Sequence, residues 1–391
     1  LKTHKLGQTY GLIKGFLLLS GLLIWGITAC QALDSSPNPD SNATKEITGR
    51  ADTQLVLNNA ILEQSSSKGN LQWKIKSELT VYSDDRKIAN LETVTANLIQ
   101  DGKIILKVKG DRGEVQDNGN LIFLRDNVVA TDTRNQTIIN SDLVEWRPQE
   151  NVLVITQNLT GSHQNLNLRA ETATYFTDTE NLELSGQVVA DLVNPFLRLE
   201  TERLVWQISQ QKISGDLPWR VVRYQEGIVT DRLVADRGEW DLASKIIALK
   251  QNIELISLSP QLQIATNSAK WNYEKRTIIS DRPIQILDRQ HQITVTGNQG
   301  DLDLTTNIAN LTQGVAGNRQ INPAQFYAKE LTWDMLRQTI EARGDVYYQQ
   351  TSSPPLELTG DKAVIKLQEN QAVVSSNNNH QRRVISVLSD R

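Results

Sequence analysis

Acidic residues recur at near-regular intervals along this chain: Asp111, Glu114, Glu171, Asp236, Glu239 and Asp301. Two carboxyls held across a cleft are the machinery of a glycosidase, one acting as acid and the other as nucleophile. Here each acid occupies an equivalent place in a recurring unit. A position repeated along a chain serves every repeat alike, whereas an active site is singular, so these acids read as structural. Other catalytic types are scarce. The 391 residues include four histidines, His4, His163, His291 and His380, all far apart, and one cysteine, Cys30. No nucleophile elbow, phosphate-binding glycine loop or metal-binding histidine pair is present in the sequence. One cysteine allows neither a disulfide framework nor a thiolate zinc site within a chain. The expectation is a protein that is not an enzyme, with no catalytic residue, metal or cofactor.

Charge narrows the partners. With 41 Lys+Arg against 45 Asp+Glu the net charge is −4, and nucleic-acid recognition needs a concentrated positive field. A hydrophobic content of 39% is too low for a multi-span membrane protein, while the wealth of Val, Ile and Leu argues against disorder throughout.

The start is unlike the rest. Lys2, Lys5 and Lys14 lead into an apolar run from Gly15 to Ala29, with no acid before Asp34. That is the layout of a secretory signal, and its core from Phe16 to Ile27 is shorter than the ~20 residues a full span needs. Cys30 directly follows Ile27-Thr28-Ala29, an arrangement that resembles a bacterial lipobox. Residues 1–29 therefore read as a signal peptide with lipidation at Cys30, or alternatively as an uncleaved membrane anchor. Residues 30–50, rich in Ser, Pro, Asn and Asp, read as a flexible tether, and 376–391 as a flexible tail.

Between them lies a repeat of about sixty residues. Segments beginning at Gly110, Ala170, Ala235, Gly297 and Gly360 share the pattern small, two polar, small, polar, apolar, ending at Val115, Tyr175, Trp240, Leu302 and Ile365. Trp146, Trp206, Trp271 and Trp333 keep the same beat, step for step. A third series pairs Leu124 with Val128, Leu184 with Val188, Leu249 with Ile253, and Leu311 with Val315. Each unit divides into two similar halves, with turn-like residues midway, such as Asp117-Asn118-Gly119-Asn120 and Ser209-Gln210-Gln211.

Period-two alternation runs between the turns. It puts Asn140, Asp142, Val144 and Trp146 on one face, and Leu182, Leu184, Gly186, Val188 and Ala190 on another. Ala324 to Arg337 has a local helical look, but the repeat register places it on strands. Roughly 20 strands, divided between two facing sheets at about 4.8 Å each, would make a body about 50 Å long. The fold class is all-β: an elongated antiparallel sandwich stacked from repeats. The strands Leu356-Glu357-Leu358, Ala363 to Leu367 and Ala372 to Val374 carry few charges and read as an end edge needing a partner strand, with Val364 in its pairing register.

The order of motifs resembles a known family. Asn58-Asn59-Ala60 is followed by Gly69-Asn70-Leu71-Gln72-Trp73-Lys74-Ile75 and Leu79-Thr80-Val81-Tyr82. The segment at Gly110, then Leu124 to Ala130, then Leu143-Val144-Glu145-Trp146 complete it. This is similar to LptC, the membrane-anchored periplasmic component of lipopolysaccharide export, and to OstA-like domains, in a long cyanobacterial-type form. The match is clearest over 51–190.

The resemblance implies a β-jellyroll, or β-taco, over 51–215, continued by OstA-like repeats over 216–375. It also implies an apolar interior for acyl chains, receipt of lipopolysaccharide from an inner-membrane ABC transporter, and edge-to-edge transfer to the next jellyroll. The site would be periplasmic, tethered to the inner membrane by an N-terminal lipid or helix. Leu124, Val128, Leu184, Val188, Leu249, Ile253, Leu311 and Val315 are then the lipid-groove candidates. The other reading is a closed β-solenoid, an envelope scaffold or carbohydrate-binding adhesin, with no lipid inside.

Overall fold

Period-two alternation, dense β-branched residues and short polar turns favour strands, and strands form throughout. The computed structural model describes residues 54–65, 69–351, 355–376 and 385–388. The signal or anchor over 1–29, Cys30 and the tether over 30–50 lie outside the described residues. The chain clusters into two units, Leu1–Ala51 and Asp52–Arg391, and every described residue belongs to the second. Among the described residues, 28 strands join one sheet of antiparallel pairs, and no helix is long and apolar enough to cross a membrane. The segment with the helical look forms the strands Ala324–Ala328 and Glu330–Asp334, as the register requires.

The strands do not divide between two sheets. Each long strand runs through both layers and bends in the middle. Ile138–Arg147 pairs through its second half with Val152–Thr156 and through its first with Thr160–His163. Asn181–Leu192 pairs likewise with Thr172–Phe176 and Leu166–Arg169, and Gln261–Asn272 with Thr277–Ser280 and Ile284–Asp288. The sheet is therefore folded along its own midline, giving two arms that share every strand. This is the jellyroll, or taco, architecture. Because about 20 bent strands stack in one file rather than two, the stack is about 100 Å long by strand spacing, twice the expected length.

The fold line is written in left-handed residues. Asp126-Asn127, Gln157-Asn158, Gly186-Gln187, Gln251-Asn252, Gln313-Gly314 and Gly344-Asp345 all have positive φ. They loop out of their strands as bulges, which bend a strand sharply, and Asn, Asp and Gly visit this region most readily. Two looped-out residues leave the alternation in phase, so Leu182, Leu184, Val188 and Ala190 all stay inside. In the strands between, the corner shifts the phase by one. Ser141 and Val144 are both buried, so Val144 and Trp146 face inward while Asn140 is exposed. The single face expected for Asn140, Asp142, Val144 and Trp146 is thus broken at the corner. Ser141 donates to the carbonyls of Leu143 and Thr156 and accepts from the Leu143 amide, satisfying the backbone that the bend frees.

The recurring acids clamp these corners. Asp111 accepts from the Asn127 amide at 2.7 Å, Glu171 from Gln187 at 2.8 Å and Asp236 from Asn252 at 2.7 Å, always at the same separation along the chain. The small residues sit where the sheet closes on itself. A Cβ on Gly238 would lie 2.6 Å from the Trp219 ring, and one on Gly300 would lie 2.9 Å from the Asn310 carbonyl.

The C-terminal end differs from expectation. Val364 pairs with Glu341 on one side and Val373 on the other, so its strand, Leu356–Lys366, is internal. Ile385–Leu388, expected within a flexible tail, forms a further strand beside Leu356–Thr359. Among the described residues the end of the sheet is therefore formed by Gln371–Ser375 and Ile385–Leu388, and Val364 is not an exit edge.

The corners can be tested singly. Asn252→Val puts a β-branched residue at φ 47° and should lower the unfolding free energy by about 1–2 kcal/mol. Asn252→Gly keeps the conformation without the clash and should cost less than half as much. Urea midpoints decide it, and equal losses in the two variants would sink the account of the corner.

Candidate functional site: the interior and its mouth

Two landmarks that look independent in the sequence form one row. Val115 pairs with Ile122, Ile122 with Trp146, Trp146 with Leu153, Leu153 with Tyr175, Tyr175 with Leu182, and Leu182 with Trp206. The row continues through Ile213, Trp240, Ile247, Trp271, Ile278 and Leu302. It runs on through Ala309, Trp333, Ile340 and Ile365. The tryptophan series and the ends of the small-residue segments thus alternate, two strands apart, along the inner face of one arm. Tyr175 and Trp240 belong to the same file as the four tryptophans. The signal for them is the half-unit beat of the repeat.

The eight groove candidates lie deeper. Leu124, Leu184, Leu249 and Leu311 come just before the fold line on this arm, and Val128, Val188, Ile253 and Val315 just after it on the other. All are at most 3% exposed. The structure brings them together as the floor of the interior, away from the mouth. On the second arm Ala130, Ile139, Gly161, Leu168, Ala190 and Leu199 form a matching row, which extends through Val221, Leu233, Leu255 and Ile264. Each large apolar side chain contributes roughly 1.5–3 kcal/mol by burial. The apolar lining is continuous across both arms.

Opposite the fold line, the hairpin turns of each arm form a rim. Backbone hydrogen bonds link turns along the same rim, as from Thr177 to Asn151 on one and from Val193 to Asn165 on the other. Among the described residues no strand pair crosses between the rims. Side chains close the mouth instead. Arg134 reaches across to the Thr177 carbonyl at 2.9 Å, Asn135 to Glu180 at 2.8 Å, and the Tyr175 hydroxyl donates to Asp132 at 2.5 Å. Arg276 meets Asp231 at 3.1 Å, the His291 and Gln338 side chains lie 2.6 Å apart, and Arg319 donates to Asn370 at 2.8 Å.

Electrostatics at this seam follow from burial. The Tyr175 phenol is pushed well above its ordinary value, first by burial and then by its bond to the Asp132 carboxylate. Burial, the largest single influence, would lower Arg134, but the bond to Asp132 and the charges of Asp132, Tyr175 and Glu180 together outweigh it and hold the guanidinium firmly charged. Asp231, 0% exposed, has Arg223 at 3.7 Å as well as Arg276. Burial lowers Arg223, Asp231 opposes that, and Arg276 adds to it. Among the described residues no group of three or more His, Cys, Asp or Glu is placed to hold a metal ion.

One stretch of the mouth is not sealed by such contacts. A cavity of about 360 Å³ lies between the rims, with His163, Asn165 and Leu192 on one side and Gln211, Leu242 and Lys245 on the other. Trp206 lines it too, its ring 5.5 Å edge-on from His163. Polar amides and a lysine surround an opening onto the aromatic row.

A family model described as lipopolysaccharide-assembly, LptC-related, matches residues 16–154 and 219–320. No curated protein matches the sequence. Among solved structures, the chain is similar to the crystal structure of LptH, the LptA-homologous periplasmic component of the conserved lipopolysaccharide transport device from Pseudomonas aeruginosa. Identity is 11% and the TM-score 0.25, over 41% of this chain and 95% of that one, a likeness too slight to carry a functional argument.

Two outcomes are expected at the mouth. Asp231→Asn leaves the buried Arg223 and the half-buried Arg276 guanidiniums without their counter-charge and should destabilise the fold by about 3 kcal/mol. Arg276→Met, which leaves Asp231 its Arg223 partner, should cost clearly less in the same urea titration. The second outcome concerns His163, whose pKa is lowered from 6.5 by burial, against a smaller opposing bond to the Asn135 backbone. Below pH 6.5 the unfolded chain takes up a proton that the folded chain refuses until lower pH. Stability from this group is therefore full above 6.5 and lost as pH falls through the folded pKa. His163→Phe should flatten the stability–pH curve in that window, and an unchanged slope would contradict the assignment.

Proposed function

This chain belongs to the LptC-related lipopolysaccharide-assembly family, and we propose that it carries lipopolysaccharide across the periplasm by sheltering its acyl chains between the two arms. The observation that carries this reading is the pairing of an unbroken apolar interior with a mouth that, among the described residues, no backbone–backbone bond closes. Amphipathic lipid cannot cross water cheaply, since each methylene is worth about 0.8 kcal/mol when buried. Parting the arms breaks only side-chain contacts, whose polar groups water can then satisfy, while the strand ladders stay intact. The sugar and phosphate groups would remain outside the rims, and the acyl chains would lie on the eight aliphatic residues at the fold line.

In this reading residues 51–215 and 216–375 act as consecutive modules of one conduit. The pairing of Gly215 with Gly238 carries the sheet across their junction. Lipid arrives from an inner-membrane ABC transporter complex near the N-terminal end, where the chain is tethered through a lipid on Cys30 or through an uncleaved helix. It leaves toward another jellyroll. Among the described residues the strand Val56–Ser65 pairs on one side only, with Leu71–Tyr82, and leaves Val56, Leu57 and Ile61 exposed. Its free side supports docking by strand addition.

A photo-crosslinking residue at Leu184 or Leu249 should capture lipopolysaccharide in cells, while one at Arg203, on the exposed outer face, should not. Capture confined to the outer position would refute the interior path. Mass spectrometry of the purified protein adds a second arm. Co-purifying lipid supports the conduit, and a reproducibly lipid-free chain favours the scaffold reading.

A further inference from the structure

The interior holds a row of hydrogen-bond donors with nothing to bind. The indole Nε1 atoms of Trp146, Trp206, Trp271 and Trp333 are fully buried and have no hydrogen-bond partner. Their side chains are at most 1% exposed. Buried tryptophan normally finds an acceptor for its N–H, and a buried donor left unpaired forfeits its hydration without return. Among the described tryptophans Trp73 obeys that rule, donating to the Gln64 side chain at 2.6 Å, whereas Trp240, in the same row, and Trp219, on the other arm, have unpaired indole Nε1 atoms as well. Five orphans in one row, Trp240 with the four tryptophans of the repeat series, are therefore a pattern to be explained, not an accident of packing. Phenylalanine would fill the same space without the unpaired donor.

We propose that these indoles are specificity-determining residues, which donate hydrogen bonds to ester or hydroxyl oxygens carried by acyl chains inside the folded sheet. The inference rests on the conduit reading and deepens it, since it selects chains with acceptors over plain hydrocarbon. The geometry suits such a ligand. Along the row an aromatic or large aliphatic residue recurs every second strand, about 9.6 Å apart by strand spacing. Trp206 also lines the cavity in the mouth, so the first donor a lipid meets after passing Lys245 and His163 lies directly below the rims. Hydrocarbon alone gains from the aliphatic floor but leaves every indole unpaired. An acyl ester or hydroxyacyl chain gains from both. A row of repeated donors also offers each lipid an equivalent site further along, so that selectivity need not trap the cargo at one place.

The full-length protein should be titrated with dilauroyl phosphatidic acid and with its diether analogue, which has the same head group and chain length but lacks the ester carbonyls. The wild type should bind the diester about five- to ten-fold more tightly, the effect of one or two neutral hydrogen bonds. In Trp206→Phe/Trp271→Phe, checked for an intact β spectrum, that preference should fall to near unity with diether affinity retained. Indole 15N–1H signals of the wild type give an independent readout, even if the double variant fails to fold. Those of Trp206 and Trp271 should move downfield with the diester and not with the diether. Equal preference in wild type and variant, or equal signal shifts with both lipids, would overturn the role of the indoles while leaving the conduit standing. Failure of the wild type to bind either lipid would overturn both.

Discussion

A sheet folded along its midline requires every strand to bend at the same height. If one corner moved by a residue, its inner side chains would rotate to the outside on one arm. The rest of the structure depends on this alignment. The left-handed pairs, Ser141 at its corner and the evenly spaced amide–carboxylate clamps all hold the bend in register. The glycines and alanines of the small-residue segments make room where the two arms converge. These residues look like candidate chemistry in isolation and turn out to be the hardware of a crease.

That crease also explains which parts of the fold were legible in the sequence. The repeat, the all-β class, the turns and the strand assignment of Ala324 to Arg337 follow from spacing alone, because hairpins of fixed length repeat a pattern. The bend did not show, because αL pairs such as Gln251-Asn252 and Gln157-Asn158 read as ordinary polar strand residues. Missing it halved the expected length and misassigned Asn140 and Asp142 to the face of Trp146. Pairing of the C-terminal strands was likewise out of reach, since few charges on Ala363 to Leu367 fit an internal strand as well as an exposed edge.

The candidate site was half legible. The aliphatic pairs from Leu124 to Val315 were marked by their beat, and they are the floor of the interior. Their function is not in the pattern, because a closed core and a lipid-lined groove demand the same residues. What distinguishes them is the opposite margin, and there the decisive residues are single and irregular: Asp132 with Tyr175, Asp231 with Arg276, His291 with Gln338. Apart from Tyr175 no repeat marks them, and each pair joins parts of the chain that are distant in sequence. Buried charges of this kind add little net stability over apolar packing. At a margin that separates in the proposed conduit, they would have the advantage that water replaces the broken contacts.

The rims have a mechanical consequence. Turns on one rim are tied to their neighbours, whereas ties across the mouth are discrete and widely spaced. A local parting therefore strains only the nearest tie, and it can heal behind as the next one yields. The cost of keeping a gap open is then nearly independent of where along the body it sits. Such a defect behaves like a ruck in a carpet, moving far more easily than the whole seam could be lifted at once.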